Sequence, residues 1–190
     1  DAALRDAVAR SLVDTHAVAL AGLDEPASVR ARAYVKAAGV APGFASVWGR
    51  SERCNAETAA LLNGIAGHVL DYDDVSSPQR GHPSIVLWPA LVALAETRDL
   101  PGARLASAFV VGFELLVKLS RGMAQPHYAQ GWHSTSGIGT VAAAGHTCRS
   151  AAVGGGGHVH TGAAAGIRRV GLAAADPFVR PARPMATDCN

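Results

Sequence analysis

The chain has 190 residues, of which 49% are hydrophobic and only 17% charged, and its net charge is +2. That is enough sequence for one domain with a sizeable core, and it is too apolar for a disordered chain. No basic cluster with interleaved aromatics occurs, which argues against nucleic acid as a partner.

In chain order, Leu4, Val8, Leu12 and Thr15 begin an amphipathic helix that should run to about Ala21 and stop at Gly22. His16 within it reads as a tolerated helix residue. Asp24-Glu25-Pro26 is a good helix start, and that second helix should end by Gly39. Phe44–Trp48 is short, β-prone and bounded by turn residues, so an isolated strand or extended connector is expected.

Asn55 with Glu57 opens the helix on which the reading turns. Leu61, Ile65, Val69 and Tyr72 form an apolar stripe at helical spacing. Asn63, Gly67 and Asp71, with His68 beside them, form a second stripe that should face water or a cavity. Gly64 and Gly67 each cost a helix about 1 kcal/mol relative to Ala, so a close approach to the backbone is expected there. The segment then enters the loop Ser76-Ser77-Pro78-Gln79-Arg80-Gly81 and restarts at His82-Pro83-Ser84, setting a carboxylate and an imidazole across a loop.

Residues 83–98 should be helical, with Pro89 causing a kink or a start delayed to Trp88. Residues 103–123 should form a helix buried on most of its circumference, followed by a loop over Gln125–Gly131. His133 then precedes a helix expected over Gly137–Ala144, with Ser134 or Thr135 as its cap. A histidine at such a start lies near unsatisfied N–H groups, which favour bound anions.

Cys54, Cys148 and Cys189 form no CxxC pair, which suggests neither a zinc site nor a disulfide framework and suits a reducing cytoplasm. The apolar run Leu105–Leu119 contains Glu114 and Lys118 and is too short for a membrane span. No signal peptide is visible, and because the chain begins at Asp1 its natural start is expected upstream.

Three motifs, LNGIAGHVLDYDDV, GHPS followed by PALVALAE, and GWHSTSGIGTVAAA, closely resemble the MmgE/PrpD family over Ala3 to Ala144. Its members include 2-methylcitrate dehydratase, cis-aconitate decarboxylase and an iminodisuccinate epimerase. The resemblance implies an all-α helical-bundle domain of that type, truncated and without its α+β lid domain, and a homodimer in the full-length family. It places the active-site acid on Asp71, the loop histidine on His82 and the third-motif histidine on His133. It also implies cofactor-free catalysis on a small polycarboxylate, with neither metal, membrane nor nucleic acid as a partner. Decarboxylases of the family carry a threonine where this chain has Val75.

These assignments suit the chemistry. Dehydrating a hydroxy-tricarboxylate needs a base for a carbon-bound proton and an acid for the departing hydroxyl. Asp71 would orient His82, His82 would exchange protons, and His82, Ser84 and His133 would contact substrate carboxylates. The first expectation is therefore a 2-methylcitrate dehydratase-like lyase. The alternatives are a decarboxylase, an epimerase or an inactive helical packing and dimerisation fragment. Asp73 and Asp74 are expected to be solvated or bonded to the following loop, and Asp71 could instead pair with Arg80. A metal site on His68, Asp71 and Asp73 is disfavoured because these residues would not project together on a continuous helix.

After Ala144 the pattern changes to a tail of Ala, Arg, Pro and Gly with no Glu or Lys. Residues 145–190 are expected to be a divergent, frameshifted tail with little regular structure beyond a short helix around Thr161–Val170. The family's later Thr-Lys-Pro lysine is missing from it, and His158-Val159-His160 is weak evidence for metal.

Overall fold

The computed structural model describes residues 1–152, and over them the fold is all-α with one short hairpin. Helix α1, Ala2–Ala21, starts where the Asp1 carboxylate accepts the Ala3 N–H at 2.9 Å and buries Val8, Thr15, Val18 and Ala19. Helix α2, Pro26–Ala37, has its proline at the first helical position, where the missing N–H leaves no hydrogen bond unmade.

The stretch expected as an isolated strand is paired. β1 (Ala45–Ser46) runs antiparallel to β2 (Arg53–Cys54), with Ala45 opposite Cys54. Two residues a side cannot hold a hairpin alone. The Glu96 carboxylate accepts the Ser46 N–H and hydroxyl at 2.6 and 2.7 Å. Asn63 accepts the Trp48 N–H at 2.9 Å and donates to the Ser46 carbonyl at 3.0 Å.

Helix α3, Ala56–His68, is capped by Asn55, whose side chain accepts the Thr58 N–H at 2.8 Å. Its two faces are the reverse of the expectation. The Asn63–Gly67 face is buried, because Asn63 serves the hairpin and Gly67 receives Ile85, whose Cδ1 lies 2.3 Å from where a Cβ would stand. Leu61 and Ile65 line a cavity instead. Gly64 has no atom within 4 Å of such a Cβ, so only Gly67 marks a close approach. The helix stops at His68, and Tyr72, expected on its apolar stripe, is exposed.

Helix α4, Pro83–Arg98, is continuous through Pro89, so its start is not delayed to Trp88. Helix α5, Gly102–Ala129, runs through much of the stretch expected as a loop and includes Pro126. It is buried along one face, through Ala108, Phe109, Leu116 and Ser120, rather than around most of its circumference. Helix α6, Ser134–Ala152, starts three residues earlier than expected and continues past Ala144. Thr161–Val170 and His158-Val159-His160 lie outside the described residues.

The core forms where α1, α4, α5 and α6 meet, around Leu87, Trp88, Leu91, Phe109, Leu116 and Ile138. Trp88 stacks on Phe109 with ring centroids 4.3 Å apart, and its indole N–H donates to Ser11 Oγ at 3.0 Å. His16, on α1, stacks on Trp48 at 3.7 Å, and burial lowers its pKa, which supports its reading as a packed helix residue. Trp88→Ala should lower unfolding stability by about 3–5 kcal/mol, as expected for a truncated core aromatic, measured from urea unfolding curves.

Candidate active site

The polar cluster is built where α3 ends. Past His68 the chain leaves the helix, and Asp71 adopts a left-handed backbone conformation with φ 53°. Asp and Asn tolerate that region better than most residues. The loop then closes through the Ser76–Gly81 bridge, in which the Ser76 N–H donates to the Gly81 carbonyl at 2.9 Å. Because the helix has ended, Asp71 and Asp73 no longer follow helical spacing and both turn toward His82.

The loop is seated against the start of α6. The His82 N–H donates to Thr135 Oγ1 at 3.1 Å, and a Cβ on Gly81 would lie 2.6 Å from that oxygen, so glycine is what allows the approach. This seating brings His133 in beside the cluster. Asp71, His82 and His133, distant in sequence, therefore share one region, with His68 between His82 and His133. The ring centroids are 4.8 Å from His68 to His82 and 6.4 Å from His68 to His133.

His82 Nε2 is 3.1 Å from Asp71 Oδ1, while Arg80, the alternative partner for Asp71, lies over the Tyr128 ring at 5.8 Å. His82 Nδ1 faces the Asp73 carbonyl at 3.2 Å and Asp73 Oδ1 at 3.3 Å. His68 Nδ1 lies 3.1 and 3.0 Å from the two Asp73 oxygens. A carbonyl and a carboxylate only accept, so neutral His68 carries its proton on Nδ1, whereas both nitrogens of His82 face acceptors and donate together only in the imidazolium. Asp73, expected to be solvated or bonded to the following loop, is buried, with 1% of its side chain exposed and His82 at the loop's end against it. The pKa of His68 is raised, first by its hydrogen bond to Asp73 and further by the charges of Asp73 and Asp71, against the opposing effect of burial.

Asp74 has a different task. It accepts the Ser84 N–H at 3.0 Å and the Ser84 hydroxyl at 2.5 Å, and burial raises its pKa against those bonds. Ser84, expected to touch substrate, is 1% exposed, and its hydroxyl is committed to Asp74 and Ser11. It fastens the loop to α1 and α4.

One donor atom each from His68, Asp71, Asp73 and His82 lie within 4.8 Å of one another, so the residues expected to diverge do converge. The grouping is compact enough for a cation, but His68 Nδ1 points its proton at Asp73 and each nitrogen of His82 faces a carboxylate. The arrangement reads as proton sharing. A cavity of about 270 Å³ opens beside His68 between α3, α4 and α6, with Leu61, Ile65, Val86 and Leu94 in its walls. The wall is mostly apolar, with Arg98, Thr135, Ser136 and Thr140 among its polar members, and the charged groups that meet one another gather in the cluster at its edge, which is the candidate site. No helix among the described residues is long and apolar enough to cross a membrane.

Sequence reasoning missed His68 and Asp73. The available signal was an unusual density of acids and imidazoles in an apolar chain, since such groups are buried only when paired.

The family profile described as MmgE/PrpD N-terminal domain matches residues 1–176. The chain is 34% identical over 110 residues to a cis-aconitate decarboxylase-like protein of Aspergillus oryzae, covering 54% of this chain and 23% of that protein. It is 34% identical over 105 residues to the human cis-aconitate decarboxylase, covering 52% and 22% of the two chains. The mouse cis-aconitate decarboxylase is 35% identical over 105 residues, covering 52% and 21%. The chain thus spans less than a quarter of the length of these relatives.

The raised His68 pKa sets a pH dependence. Its folded pKa exceeds the ordinary 6.5, so the stability it contributes is fully present below that value and is lost as pH rises through the higher one. His68→Asn should therefore destabilise the chain on the acid side and converge on the parent at higher pH. Thermal melts across a pH series measure this.

Proposed function

Because the chain belongs to the MmgE/PrpD family, we propose that this cluster, with His133 beside it, is the acid–base part of a lyase site for a small polycarboxylate such as cis-aconitate. The observation that carries the reading is His82 held between two carboxylates, Asp71 at 3.1 Å on Nε2 and Asp73 at 3.3 Å on Nδ1. An imidazole so held is fixed in orientation with an acceptor on each nitrogen, an arrangement suited to a group that carries protons.

Losing CO₂ from an allylic carboxylate shifts the double bond and leaves a carbon to be protonated. His82 is the proton donor, with Asp71 orienting it and taking up the charge. His133, ahead of the first N–H groups of α6, meets a substrate carboxylate. The chemistry needs no cofactor. The names of the relatives favour cis-aconitate as substrate. Val75, in place of the threonine of decarboxylases, favours the second reading, dehydration of 2-methylcitrate by the same groups, with the base and acid roles divided among them. A cytoplasmic homodimer is the setting that the family resemblance implies.

The lid and lysine expected of the family would come from the three-quarters of the relatives that this chain does not span. Without them a polycarboxylate is neither enclosed nor neutralised, so these 190 residues alone should turn over little. In the protein extended through the family's remaining length, His82→Ala should lower kcat by about 10²–10⁴ with cis-aconitate or 2-methylcitrate. His133→Ala should also raise KM. No turnover of either compound by the extended protein, or undiminished turnover by the His82 variant, would sink the reading.

A further inference from the structure

Asp73 joins two imidazoles with one carboxylate. Oδ2 lies 3.0 Å from His68 Nδ1, and Oδ1 lies 3.3 Å from His82 Nδ1. The rings meet edge to face, 64° apart. His68, the last residue of α3, also lines the apolar cavity, so it is the imidazole of the two that borders an enclosed space.

We propose that Asp73 is a positioning residue that fixes the tautomer of His68 and the orientation of His82 and couples them as a single proton-sharing pair, making His68 a second acid–base group of the site. This rests on the lyase reading for what the pair is used for, while the pair itself is a property of this chain.

The rings share Asp73, whereas the second carboxylate, Asp71, meets only His82 Nε2, and two imidazolium rings with centroids 4.8 Å apart repel. Protonating either ring opposes protonation of the other, so the protons leave in two steps that belong to the pair. At the intermediate state one ring is an acid and its neighbour a base. A dehydration needs that combination at a single pH, whereas the decarboxylation draws on the acid alone, and two uncoupled histidines supply the combination in only part of the molecules. The other charged or titratable groups around His68 are Asp71 on the same loop and His133 ahead of α6. Glu57 of α3 and Arg98 of α4 line the same cavity.

The test uses ¹⁵N-labelled 190-residue chain and long-range imidazole spectra, recorded over the range in which histidines titrate. His68 should show Nδ1–H in its neutral state, and the two rings should titrate in coupled steps. In Asp73→Asn, which keeps the shape and removes the charge, His68 should lose about tenfold in proton affinity, equivalent to about one pH unit. His68 should also lose its tautomer preference. A folded Asp73→Asn chain with unchanged tautomers and midpoints would overturn the proposal.

If that variant does not fold, His68→Gln and His82→Gln provide the measurement. Each should convert the remaining ring to a single-step titration at a shifted midpoint, and an unshifted midpoint in both would overturn the coupling. The spectra need no substrate. Failed turnover in the extended protein therefore leaves this result standing, and unaltered spectra leave the lyase reading standing.

Discussion

An ionised carboxylate taken out of water costs several kcal/mol unless partners replace its hydration. Asp73 is such a group, with 1% of its side chain exposed in a chain that is 17% charged. The structure around it supplies two imidazoles. Helix α3 ends on His68, and α4 begins after His82. Removing either imidazole leaves part of the carboxylate without a donor. The end of one helix and the start of the next are thus set by the same buried charge.

A second chain of polar groups fixes the loop against the core. Ser84 gives its only hydroxyl proton to Asp74, so Ser11, 2.7 Å away, must donate to Ser84. The Ser11 oxygen is then the acceptor for the Trp88 indole. The bonds run in one direction from the centre of the core to the edge of the cluster. Packing of Trp88 on Phe109 is therefore connected to the placement of Asp74, one residue from the buried carboxylate.

Much of the fold was legible because its signals are local. Asn55 and Pro26 mark helix starts by chemistry that acts within one turn, and both starts lie where the sequence places them. The apolar stripe of α3 was misassigned for a non-local reason. Nothing near Asn63 reveals that its amide would serve a hairpin 15–17 residues away. Asp71 and His82 were legible through motif resemblance and loop spacing, and the structure brings them together. Asp73 was not, because a DxDD run looks solvated until the chain leaves the helix and turns one of its acids inward. The length of α5 was misjudged because Pro126 reads as a breaker, whereas near a helix's end it sacrifices a single bond.

The two acids that hold His82 differ in their access to solvent. Asp71 leaves 80% of its side chain in water and Asp73 leaves 1%. Dissolved ions largely screen exposed charges farther apart than a Debye length, about 8 Å at physiological ionic strength, weaken close exposed pairs as salt rises, and screen buried pairs far less. Salt therefore weakens the outer contact on Nε2 and leaves the inner contact on Nδ1 intact. The imidazole keeps its orientation while the nitrogen facing solvent is released, so an arriving anion competes with Asp71 alone for it. In this way ionic strength becomes a setting on one side of the ring only.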